Sequence, residues 1–171
     1  LDASAAQRGS LQGISMKLMS LFKSFVRAAL FAATLTGAAH AADKGTAPEA
    51  EAMVKKAVAY IKANGTEKAY DEFTNGKSFK DGDLYIIVYD LNGKNLAQGA
   101  NPKLVGKELI GLKDPDGKPL IKMFVDLAKD KGKGWSDTYK FLNPVSQKIE
   151  LKMMYLERLG DTLVGCGIYK S

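Results

Sequence analysis

The sequence predicts an α+β domain: one five-stranded antiparallel sheet, with a long N-terminal helix on one face and a loop-helix segment on the other. Three observations lead there. An apolar stripe at helical spacing runs through "TAPEAEAMVKKAVAYIKANG". A β-rich run with a hairpin turn follows in "DLYIIVYDLNGKNLAQGA", and three strand-like runs close the chain. A strand pair and a strand triplet with helices between them join into a single sheet, and the helices cover its two faces.

The long helix comes first. Ala50, Met53, Val54, Ala57, Val58 and Ile61 recur at the spacing of one helical face. Pro48 suits the first turn, Glu49 and Glu51 suit the positive end of the dipole, and Gly65 suits the stop. Thr66 is placed to cap a second, shorter helix with Ala69, Tyr70 and Phe73, ending near Gly76. Leu84 to Asp90 then reads as a strand, Asn92-Gly93 as a hairpin turn, and Leu96 to Gly99 as the return. Residues 101–118 are rich in Pro, Gly and Asp around "LVGKELIGL", a loop with room for one helical turn. Its "DPDGK" invites a calcium reading on Asp114 and Asp116. That loop pattern requires a third oxygen ligand where Lys118 stands and a glycine where Pro119 stands, so Asp114 is read as a turn or cap residue.

Pro119 opens another helix, striped by Leu120, Met123, Phe124, Leu127 and Ala128 and ending in "KDKGKG". Trp135, Asp137, Tyr139 and Phe141 alternate with Ser136, Thr138 and Lys140, the period of a half-buried strand. Asn143-Pro144 begins a turn, Ile149 to Arg158 is a long strand, and Gly160-Asp161 turns it back into Thr162 to Tyr169. This order is that of a PAS-like domain. In the last strand Val164, Cys166 and Ile168 share one face, and Gly165 and Gly167 the other. Three roles are open to a single cysteine between glycines: a redox thiol, a metal ligand or a tightly packed strand residue. Glycines remove side chains where something else comes close, so Cys166 is expected to be a small buried hydrophobe.

The domain is expected to occupy residues 42–171. From Met16, the basic residues Lys17, Lys23 and Arg27 precede a short apolar run, Ala28 to Leu35, and then Ala39-His40-Ala41. That order reads as a secretory signal peptide over residues 16–41, cleaved after Ala41. The run is shorter than the roughly 20 residues that span a bilayer, and an uncleaved anchor is the alternative. Residues 1–15 lie upstream of a plausible start methionine and are set aside as an extension. Removing residues 1–41 takes four bases and one acid, leaving 21 bases against 18 acids in 130 residues. A net charge of +3 does not mark a nucleic-acid binder. His40, the sole histidine, leaves as well, and one Cys remains. Metal sites built on thiolate or imidazole, serine triads and Cys-His dyads then lack their parts, and no enzyme is expected. The expected product is soluble and periplasmic, without stable membrane insertion after cleavage.

The stretches "DLNGKNLAQGANPKLVGKELIGLKDPDGKPL" and "GKGWSDTYKFLNPVSQKIELKMMYLERLGDTLVGCGIYK" resemble the single Cache domain, type 2 (sCache_2), over about residues 47–170. The features that carry the likeness are Asp90 with Gly93, Asn101-Pro102, Leu104-Val105-Gly106, and Lys113-Asp114 with Asp116-Gly117. Tyr139 with Phe141, Lys152 with Tyr155, and the terminal GCGIY complete them. The resemblance implies the Cache fold and binding rather than catalysis. Such extracytoplasmic modules hold small organic molecules, often short carboxylates, between the sheet and its cover, with no cofactor. They usually sit in membrane chemoreceptors or histidine kinases. This chain resembles the stand-alone exported members, so a separate membrane receptor or kinase is the implied partner. Phe141 stands where Trp is typical of the family, and Gln98 where His is common.

Holding a small organic acid requires an apolar enclosure, a cation and a few hydroxyl or amide groups. The candidate set is Trp135, Tyr139 and Phe141 as an aromatic face, Lys152 for the charge, Tyr155 for a hydroxyl, and Gln98. Lys152 and Tyr155 are three residues apart, which strict alternation puts on opposite faces. Either a bulge intervenes or one of them lies off the site. An interaction domain that keeps the fold without a ligand is the competing function.

Overall fold

The computed structural model describes residues 44–170, and the segments read as upstream extension and signal peptide, with the cleavage point after Ala41, lie outside them. Among the described residues no helix is long and apolar enough to cross a membrane.

Helix α1 (Ala47–Asn64) starts where Glu49 folds back to accept both the N–H and the hydroxyl of Thr46, at 2.8 and 2.7 Å. It ends at Gly65, whose φ of 81° no β-branched residue adopts easily and whose N–H bonds Ile61 O. The same glycine flanks α2 (Thr66–Asn75). Thr66 therefore opens the second helix from inside instead of capping it.

The strands are β1 (Lys80–Asp81), β2 (Leu84–Asp90), β3 (Asn95–Gln98), β4 (Lys133–Trp135), β5 (Tyr139–Leu142), β6 (Ile149–Leu159) and β7 (Thr162–Tyr169). Helix α3 (Leu120–Lys131) lies between β3 and β4. All pairings are antiparallel: β3 on β2, β2 on β7, β7 on β6, with β4 and β5 both on the far edge of β6. β1 is a two-residue hairpin onto the start of β2. The predicted PAS-like α+β arrangement is the observed one, with short strands sharing positions across the sheet.

The difference that matters lies on that edge. The predicted continuous strand from Trp135 to Phe141 is interrupted. Trp135 pairs with Tyr155 and Tyr139 with Lys152, so three intervening residues on one strand face two on the other. Ser136 bridges the irregularity, its N–H bonding Met154 O and its Oγ accepting from Met154 N. The extra residue reverses the faces, as a bulge must.

Each face carries its own core. On one, α1 and α2 bury Val54, Val58, Ile61 and Phe73 against Ile86, Val88, Val164 and Cys166. On the other, α3 buries Leu120, Ile121, Phe124 and Val125 against Tyr85, Ile87, Tyr139, Met154 and Leu156. Cys166 is wholly buried with its Sγ 3.8 Å from Met53 Sδ, and burial pushes its thiol up to about 12. The last strand is thus tightly packed there.

The cover over the α3 face is tied down by Asp114. Its Oδ1 accepts from the backbone N–H groups of Asp116 and Lys118, and its Oδ2 from Lys140 N on β5. Lys118 Nζ adds a bond to Thr138 O. The turn role read for Asp114 extends to clasping the loop onto the sheet edge.

Candidate functional site

The α3 face of the sheet holds a wholly buried lysine. Lys152 points to this face because it pairs with Tyr139 on β5 and with Tyr169 on β7. Its Nζ donates to Tyr85 Oη at 2.8 Å and to Tyr169 Oη at 3.0 Å. It lies 4.2 Å from the ring centroids of both tyrosines and 5.7 Å from that of Phe141. No carboxylate stands within ion-pair distance of it among the described residues. An ammonium has three donors, so two are used on phenols and one is left over.

The two phenols differ. The Tyr169 hydroxyl donates to Leu142 O at 2.8 Å. Tyr85 accepts from Lys152, and its hydroxyl also lies beside that of Tyr169. Burial is the main cause that pushes Tyr85 up to about 12, so it remains a protonated donor at neutral pH. Tyr169 is raised for the same reason.

Tyr85 is also the wall between two spaces. An inner void of about 20 Å³ is lined by Tyr85, Tyr89, Gln98, Phe124, Tyr139 and Met154 among others. An outer cavity of about 280 Å³ is bounded by Tyr85, Gln98, Asn101, Leu104, Phe141 and Gln147 with their neighbours. Gln98, Leu104 and Phe141 line both. Gln98 reaches this face because it pairs with Ile87, and its Oε1 accepts from Ala100 N at 3.4 Å. Tyr139 stacks edge-on against Phe124 and Phe141, at 5.4 and 6.2 Å between centroids.

The structure brings together Gln98, Tyr139, Phe141 and Lys152. It does not bring Trp135 and Tyr155 with them. Those two pack against each other on the α1 face, 5.5 Å between centroids, and Trp135 Nε1 donates to Glu51 of α1 at 3.0 Å. The bulge at 136–138 is what separates Trp135 from Tyr139, and simple alternation separates Tyr155 from Lys152. Sequence reasoning missed Tyr85 and Tyr169. Their signal was present in the strand parity of "DLYIIVYD" and "GCGIYK", once the face of Lys152 was known.

The family model for Single Cache domain 2 matches residues 40–171. The chain is 30% identical over 91 residues to the methyl-accepting chemotaxis protein McpP of Pseudomonas putida, a match covering 52% of this chain and 16% of that receptor. Among solved structures it is similar to a methyl-accepting chemotaxis protein from Vibrio parahaemolyticus, with a TM-score of 0.62 and 26% identity over 71% of this chain and 86% of that one. A periplasmic sensor domain of a chemotaxis protein gives 0.58 at 25% identity, covering 71% and 88%. A Cache chemosensory domain described for carboxylic acid recognition gives 0.57 at 23%, covering 71% and 86%, and shows the fold. With the sheet, the covering loop and helix and the family match in agreement, this chain belongs to the Single Cache domain 2 family.

Proposed function

We propose that the domain is a periplasmic binding module for a short organic carboxylate, acting through a separate membrane receptor or kinase. The observation that carries this reading is the Lys152 ammonium, wholly buried and without a counter-ion among the described residues. Taking such a charge out of water costs several kcal/mol, on the order of what an anion beside it can offset. A ligand carboxylate supplies that anion through Tyr85, since Lys152 itself lines neither cavity. In the outer cavity it meets the Tyr85 hydroxyl, whose donor strength is raised by the Lys152 N–H bonded to its oxygen. Gln98 adds an amide, and Phe141 an apolar wall. The chemoreceptor domains to which the chain is similar support a sensing role, and the Cache domain described for carboxylic acid recognition supports the ligand class.

The test is calorimetry on residues 42–171 with acetate, propionate and butyrate, set against the matching neutral amides. Saturable binding of an acid, at least tenfold tighter than its amide, is expected. The inner void of about 20 Å³ favours a second reading, since it holds about one water. A well-folded protein that gives no thermal shift with acids, amines or amides supports an interaction domain without a ligand. Export is tested by N-terminal sequencing of the periplasmic product. Ala42 is the expected first residue, and retention of residues 16–41 overturns cleavage in favour of an anchor.

A further inference from the structure

Gly165 and Gly167 both leave the α3 face of β7 bare, but different groups fill the two gaps. A Cβ on Gly165 would stand 2.7 Å from Leu156 Cδ2, 3.1 Å from Met154 Sδ and 3.3 Å from Ile87 Cγ1, all of it apolar packing. A Cβ on Gly167 would stand 2.3 Å from Lys152 Cε and 3.3 Å from its Cδ. The lysine stem lies in the space that Gly167 leaves open. Lys152 pairs with Tyr169 and Met154 with Gly167, so Lys152 and Gly167 are diagonal neighbours across two strands.

We propose that Gly167 is a positioning residue for the anion site: its missing side chain lets Lys152 lie flat on β7 with its ammonium between Tyr85 and Tyr169. This rests on the carboxylate reading above. Any side chain at position 167 lifts the lysine stem off the sheet. Nζ then leaves the gap between the two phenols, and Tyr85 loses the N–H that strengthens it as a donor. Gly167 is not among the glycines with positive φ, so its backbone suits alanine. The nearest obstructing atom is near the end of a flexible side chain. The lysine therefore turns away before the strands move, while the Met153 carbonyl at 3.0 Å requires a small local adjustment. Gly167 is needed for where the charge sits, and Gly165 for how the core packs.

The experiment compares Gly167→Ala, Gly165→Ala and Lys152→Met by thermal melting and by calorimetry with acetate, propionate, butyrate and their amides. Gly167→Ala is expected to lose at least tenfold in acid affinity with amide affinity unchanged. Gly165→Ala should lower Tm and keep the preference for acid over amide. Combining Gly167→Ala with Lys152→Met should give no further loss beyond Lys152→Met, as two changes acting through one group must. If Lys152→Met abolishes the acid preference and Gly167→Ala keeps it, the positioning role is overturned and the carboxylate reading stands. If wild type and Lys152→Met bind the acids alike, both fall. Should Gly167→Ala fail to fold, Gly167→Ala with Lys152→Ala empties the slot. Recovered folding supports the lysine stem as the group displaced, and no recovery assigns the glycine to backbone packing and overturns the proposal.

Discussion

Replacing Lys152 by methionine separates binding from stability in a way few single changes do. The side chain keeps its length and apolar stem and loses its charge. In the wild type that charge is wholly buried, with two phenolic oxygens and two rings at 4.2 Å as its partners. Exchanging a buried ionic group for an apolar one of similar volume is commonly neutral or stabilising by about 1–4 kcal/mol, because the desolvation penalty disappears with the charge. Tyr169 still donates to Leu142 O, whereas Tyr85 loses the N–H its buried oxygen accepts, a cost of about 1–3 kcal/mol set against that gain. A Tm no more than about 5 °C below wild type, or above it, is therefore expected. Binding should move the other way. One charge-assisted contact in a dry site contributes on the order of 1.5–3 kcal/mol, so acid affinity should fall about tenfold to a hundredfold.

Differential scanning calorimetry measures the first quantity and titration calorimetry the second, on the same preparation. Tyr85→Phe is the companion variant: it removes the hydroxyl between the ammonium and the cavity while leaving the cation in place. It should also weaken acids in preference to amides. Unchanged acid affinity in Lys152→Met refutes the reasoning about charge. A fall in Tm far beyond 5 °C with the acid preference intact would make the lysine a structural brace instead of a recognition group.

Cys166 should react with thiol reagents only when the protein opens, because it is wholly buried and its thiol is raised to about 12. Labelling of the native protein at the rate of free cysteine contradicts this. Asp114 gives a pH dependence of defined sign. The Lys140 N–H, with those of Lys118 and Asp116, holds its carboxyl below the usual aspartate value. A folded-state pKa below the unfolded one contributes stability that is present above the unfolded value, about 3.9, and lost as pH falls through the folded one. The Tm gap between wild type and Asp114→Asn should therefore narrow as pH drops below about 4, and a gap independent of pH refutes the assignment. Glu150, lowered by Ser146 and then Lys44, should behave likewise in Glu150→Gln.

The fold was legible because its signals are local. The α1 stripe, the Asn92-Gly93 turn and the Gly160-Asp161 turn each fix an element, and the apolar parity of the strands fixes which faces are buried. The strand from Trp135 to Phe141 was legible only as a pattern. Its alternation of large and polar residues persists across Ser136, Asp137 and Thr138 even though one residue is extra. Nothing local marks a bulge whose evidence is a register against a strand some fifteen residues away. Trp135 was therefore grouped with Tyr139, from which the bulge divides it.

The lysine illustrates the opposite case, a residue whose sequence context hides its burial. In "IELKMMYLERL" the neighbours of Lys152 alone read as those of a solvated lysine, and it entered the candidate set only beside the family resemblance, as the cation a small acid requires. Its surroundings are assembled from three strands: Tyr85 from β2, Tyr169 and Gly167 from β7, and Tyr139 from β5 across the sheet. Each of these residues is unremarkable alone. A tyrosine in a strand is ordinary, and a glycine there reads as a weak spot. Only the register makes them one device, in which two phenols receive the ammonium, a missing Cβ makes room for its stem, and the Phe141 ring stands between it and the cavity. The tight fit of Gly167 to Lys152 also explains why "GCGIY" carries a glycine on either side of the cysteine. One glycine admits the core, and the other admits the charge.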